Sequence, residues 1–76
     1  MGMSYYQAMA IIEQAKARTG AEVNITFRMP LVTVKVPGFG AYEALAVDLA
    51  EAVGDVRTPA EFVEKVEGMY YITNTL

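Results

Sequence analysis

The 76-residue chain contains no cysteine, no histidine and no tryptophan, and Ser4 is its single serine. Without cysteine there are no disulfides, thiolate nucleophiles or thiolate metal sites, and the composition points to a reducing compartment. Without histidine the usual general base and commonest metal ligand are missing, and with them the Ser-His and Cys-His nucleophile pairs. No apolar run approaches the ~20 residues of a membrane helix. The N-terminus lacks the basic region and apolar stretch of a secretory signal. Myristoylation after Met1-Gly2 would want Ser or Thr at the sixth position, where Tyr6 stands. The expectation is a cytoplasmic protein without membrane contact or cofactor, in which residues 1–3 are a disordered start or a remnant ahead of Met3.

Apolar residues are plentiful. They make up 54% of the chain, and Ile11, Ile12, Val23, Ile25, Phe27, Val32, Val34, Leu45, Leu49, Phe62 and Val63 are good core formers. At this length folding removes only about 60% of the unfolded surface from water. A small domain with surplus apolar surface and no covalent staple often gains stability from a partner or from a second copy of itself.

Residues 1–76 read as one domain. Ser4 and Gln7 match a capping box and Gly20 suits a left-handed stop, which predicts a helix over 5–18. Tyr5, Ala8, Met9, Ile12 and Ala15 share one arc of that helix, with Ile11 at its edge and Gln7, Gln14 and Arg18 opposite. Period two then takes over. Val23, Ile25 and Phe27 alternate with Asn24, Thr26 and Arg28, and Val32, Val34 and Val36 alternate with Thr33 and Lys35. The change of parity across Met29-Pro30 favours a hairpin over one long kinked strand.

Pro37-Gly38-Phe39-Gly40 breaks the sheet. A second helix is expected over 42–53, with Tyr42, Leu45, Ala46, Leu49, Ala52 and Val53 inward and Gly54 at its end. Thr58, Pro59 and Glu61 open a third helix that stops at Gly68, and the β-branched and aromatic residues 69–75 read as a last strand. The expected fold is a two-layer α+β domain in the order α-β-β-α-α-β. Its three-stranded, mainly antiparallel sheet carries helices on one face and a polar array on the other, with Asn24, Thr26, Arg28, Thr33 and Lys35 exposed.

Ser4 is explained as a cap. Glu43, Asp48 and Glu51 on the second helix, and Glu61, Glu64 and Glu67 every three residues on the third, read as solvated faces. The alternative, a carboxylate pair or divalent-ion site, requires converging ligands. The Gly38-Phe39-Gly40 loop ahead of a helix suggests an anion resting on free amides, but it lacks the glycine and lysine spacing of a phosphate loop and reads more simply as a turn. Phe39 at its tip either folds onto the core, the commoner arrangement, or is displayed as a binding anchor. In each Tyr-Tyr pair one ring is expected inside and one outside: Tyr5 in and Tyr6 out, Tyr70 in and Tyr71 out.

Charge separates along the chain. Residues 1–42 hold Lys16, Arg18, Arg28 and Lys35 against Glu13 and Glu22, a net of +2, while residues 43–76 hold seven acids against Arg57 and Lys65, a net of −5; these sum to the overall −3. Such a field bears on partners more than on fold.

The function expected from these features is a non-catalytic protein-binding module, a small inhibitor or adaptor. Its contact surface would comprise Glu43, Asp48, Glu51, Glu61, Glu64 and Glu67 with Phe39, Tyr6 and Tyr71, set against a basic protein groove, of which a nucleic-acid channel is one kind. In general character the chain is similar to compact accessory proteins of phages and mobile elements, anti-CRISPR proteins among them, although no motif places it in one family. Two alternatives stand beside it. One is a homo-oligomer paired through the sheet edge, the open sheet face or Phe39. The other is a single-strand nucleic-acid platform of Arg28, Lys35, Thr26 and Tyr71, which the net negative charge disfavours.

Overall fold

The computed structural model describes the backbone of residues 2–73 and the side chains of residues 2–70. Helix α1, Tyr5–Thr19, begins as its sequence dictates: Gln7 N donates to Ser4 Oγ at 3.1 Å and Ser4 N donates to Gln7 Oε1 at 2.9 Å, a complete capping box. It stops at Gly20, whose φ of 76° is open to glycine at little cost. Ala8, Ile12, Ala15 and Thr19 are its buried stripe, and Met3 packs against the same core. The buried Thr19 hydroxyl donates to Ala15 O at 2.8 Å and accepts from Ala21 N at 3.3 Å, so this hydroxyl and the Ala21 amide are both satisfied where the chain leaves the helix.

Strands β1, Asn24–Arg28, and β2, Leu31–Val36, form the expected hairpin around Met29-Pro30, with Arg28 opposite Leu31 and Asn24 opposite Lys35. The next element corrects the sequence reading. Residues Gly40–Leu45 are strand β3, and helix α2 is confined to Ala46–Val53. The sheet therefore has four strands, in the spatial order β1-β2-β3-β4, and the chain order is α-β-β-β-α-α-β. Ala, Glu and Leu favour helix by only tenths of a kcal/mol per residue. Pairing with β2 outweighs that, since it sets Tyr42 opposite Val34 and Ala44 opposite Val32 on the core side. The turn carries a signal of its own. Phe39 N donates to Val36 O at 2.9 Å around Pro37 and Gly38, and Gly38 has φ 85°. Proline followed by a positive-φ glycine is the type II turn pattern, which reverses the chain between antiparallel strands.

β3 runs straight into α2, with Leu45 as its N-cap and no side-chain cap; instead Ala46 N donates to Pro30 O in the hairpin at 3.0 Å. Ala46, Leu49, Ala50 and Val53 are buried, while Leu45, expected in the apolar arc, is exposed because it still follows strand alternation. Helix α3, Pro59–Glu67, starts with the Thr58/Glu61 capping box and buries Phe62 and Val66. Gly54 and Gly68 end their helices with right-handed backbone, unlike Gly20. Strand β4, Tyr70–Thr73, closes the sheet against β3. All three helices bury their apolar stripes in the core shared with Val32, Val34, Val36 and Tyr42. No helix among the described residues is long and apolar enough to cross a membrane.

One side chain ties the helical layer together. Arg18, on the outer arc of α1, donates through Nε to Val56 O at 3.0 Å and through Nη2 to Val53 O at 3.2 Å and Gly54 O at 3.3 Å. These are carbonyls at and just beyond the end of α2, which lacks a left-handed cap. A cation there also meets the negative end of the helix dipole. Replacing Arg18 with Ala is expected to lower stability by about 1 kcal/mol, a fall in Tm of roughly 4–8 °C for a domain of this size. Arg18→Lys should recover only part of it, because one ammonium cannot span the three carbonyls of the fork. Thermal unfolding followed by circular dichroism checks both values.

Candidate protein-binding surface

Phe39 is displayed. It follows the Pro37-Gly38 turn, is 62% exposed, and borders a depression together with Pro37, Pro59, Val63 and Glu22. The loop does not precede a helix: β3 follows it, so the amide-cradle reading of Gly38-Phe39-Gly40 falls away.

Val63 of α3 is shared with a second depression, lined by Glu61, Glu64 and Glu67. Carboxylates thus lie beside the apolar patch, Glu22 bordering it from the α1–β1 connection and the α3 acids from the other flank. The three α3 acids do not have equal roles. Glu61 Oε1 accepts from Arg57 N at 2.7 Å and Thr58 N at 3.1 Å. These backbone hydrogen bonds, chiefly the one from Arg57, hold its pKa below the ordinary carboxylate value. Glu64 and Glu67 are exposed and leave their carboxylates to solvent, as do Asp48 and Glu51 on α2.

Other expected contact residues lie elsewhere. Glu43 belongs to β3 and not to an acidic helix; it stands opposite Thr33 and Tyr70 on the open sheet face. Tyr6 is 71% exposed but sits at the start of α1, edge-on to Tyr5 with centroids 5.7 Å apart. Tyr5 in turn meets Phe27 at 6.4 Å, at the hairpin end of β1, whereas Phe39 follows the opposite end of β2. The assignment of the last Tyr pair is overturned for Tyr70, which is 73% exposed, because register sets it beside Glu43. Tyr71 pairs through its backbone with Tyr42, and its side chain lies outside the described residues.

The open sheet face is less polar than expected. Its successive cross-strand rows are Asn24–Lys35–Ala41, Thr26–Thr33–Glu43–Tyr70 and Arg28–Leu31–Leu45. Leu45 is 44% exposed, and Met29 at the hairpin tip is 60% exposed. Leu31 continues the alternation of Thr33 and Lys35 by one step and meets Leu45 across the strands, a pairing that a helix over 42–53 does not allow. A carboxylate between Tyr70 and the two cations works against a nucleic-acid platform. Among the described residues no three carboxylates gather closely enough to hold a metal ion.

Because folding lowers the Glu61 pKa, its capping contribution is present above the unfolded carboxylate value and is lost as pH falls through the lowered folded value. The stability difference between the wild type and Glu61→Gln should therefore be largest near neutrality and shrink below about pH 4. Urea unfolding across that range measures it, and a difference independent of pH would contradict the assignment. Comparison of the chain with protein-family models, with curated proteins and with solved structures finds no match.

Proposed function

We propose that this protein is a non-catalytic protein-binding module, a small inhibitor or adaptor whose Phe39 anchors into a partner while the neighbouring carboxylates face basic groups. The observation that carries the reading is the exposed Phe39 at a tight turn, flanked by Pro37, Pro59 and Val63 and bordered by Glu22, Glu64 and Glu67. Binding energy concentrates in large side chains seated in desolvated pockets, with surrounding polar groups excluding water and selecting the partner. A ring on a tight turn loses little conformational freedom on docking. The carboxylates of α3, with Asp48 and Glu51 on α2, raise the rate of encounter with a positive surface. A basic protein groove of the kind that accommodates nucleic acid is the complementary partner.

Affinity capture from the source cell at low salt, with wild type and variants in parallel, tests this. The expected result is a basic protein that wild type retains and high salt releases. Phe39→Ala should weaken capture by about 2 kcal/mol, roughly thirtyfold. Charge reversal at Glu64 and Glu67 should weaken it in a salt-dependent manner. A partner bound equally by wild type and both variants would sink the proposal, as would the absence of any partner.

A further inference from the structure

We infer that β1 is a self-pairing edge, through which two copies of this chain join their sheets into one antiparallel sheet of eight strands. β1 is the terminal strand of the sheet and pairs only with β2. Among the described residues no backbone or side-chain hydrogen bond reaches residues 24–28 from any element other than β2. Alternate N–H and C=O groups along it therefore face outward with no protein partner.

Exposed edges are usually blunted by charged side chains, proline, a bulge, an inward charge or a very short strand. β1, Asn-Ile-Thr-Phe-Arg, has no proline, bulge or inward charge within its five residues; its register with β2 is unbroken, and its one charge, Arg28, points to the open face at the strand's end. The opposite edge differs, since the pairing of β4 with β3 is interrupted by a register shift at Ala41/Tyr42.

The occupant follows from the strand's own sequence. Antiparallel pairing of β1 with its copy, with the two-fold axis at Thr26, sets Thr26 opposite Thr26, Ile25 opposite Phe27 and Asn24 opposite Arg28. Each residue meets its counterpart twice, as an isologous contact requires. On the core side this makes two aromatic with β-branched pairs, a favourable cross-strand combination. Ile25 and Phe27 are only partly buried in the single chain, although both pack against the core, because nothing flanks them on the free side. On the open face the paired groups are hydroxyls, and an amide against a guanidinium. No like charges oppose each other. Thr26 at the centre of this edge does not line the Phe39 depression, although Glu22, just ahead of β1, does, so cross-linking at Thr26 reads self-pairing separately from the proposed partner site.

The absence of cysteine makes the test clean. Directly opposed residues of an antiparallel pair have Cα atoms about 4.5–5.5 Å apart, within disulfide range. Thr26→Cys should form an intermolecular disulfide quickly under mild oxidation. Asn24→Cys alone should not, whereas a mixture of Asn24→Cys and Arg28→Cys should cross-link. Sedimentation should show a concentration-dependent dimer for wild type. For Thr26→Lys, which brings like charges across the axis, the dissociation constant should rise by about fivefold or more. Mixing Thr26→Lys with Thr26→Glu should restore dimers. Thr26 is exposed, so circular dichroism should report a folded chain for each variant. A wild type that stays monomeric at the highest soluble concentration would overturn the inference, and so would dimers indifferent to Thr26→Lys or an Asn24→Cys variant that cross-links as readily as Thr26→Cys.

Discussion

The antiparallel pairing of β2 with β3 is the contact on which the rest of the molecule depends. It runs from Leu31–Leu45 to Val36–Gly40 without interruption and places Val32, Val34, Tyr42 and Ala44 together beneath the helices. Because β3 passes directly into α2 at Leu45, the position of that strand also sets where α2 begins. Val36 and Gly40 at the opposite end close the turn that displays Phe39. One register thus positions the core floor, a helix start and the exposed anchor.

The helical layer is held by local caps and by one long-range clamp. α1 and α3 carry complete capping boxes that their own sequences supply. α2 has neither a side-chain N-cap nor a left-handed C-cap, and it borrows both ends from distant parts of the chain: Pro30 O at its start and Arg18 at its finish. With eight residues it is too short to be stable in isolation. Its helicity is a product of burial and of these two contacts.

The divide between what could be read and what could not follows from interaction range. α1, the Met29-Pro30 hairpin, the start of α3 and the final strand all announce themselves through signals within three or four residues. The segment from Gly40 to Leu45 does not, since Tyr42 faces inward both on a helix ending at Val53 and on a strand beside β2. The Pro37-Gly38 turn was the available hint that a strand should follow. The role of Arg18 had no sequence signal, because its acceptors are main-chain carbonyls 35 to 38 positions away.

By itself the sequence determined the α+β class, the capped helix ends, the alternating faces of the first two strands, and the poverty of proton-transferring and metal-binding groups. These depend on local backbone preferences, on periodicity and on composition. Only the tertiary structure decided that the sheet has four strands, that Glu43 and Tyr70 share its open face, that Phe39 is displayed beside α3, and that β1 is a bare edge. Each of these depends on strand register, and a shift of one residue sends every side chain of a strand to the opposite face. Register is chosen by contacts between segments distant along the chain, which no local pattern records.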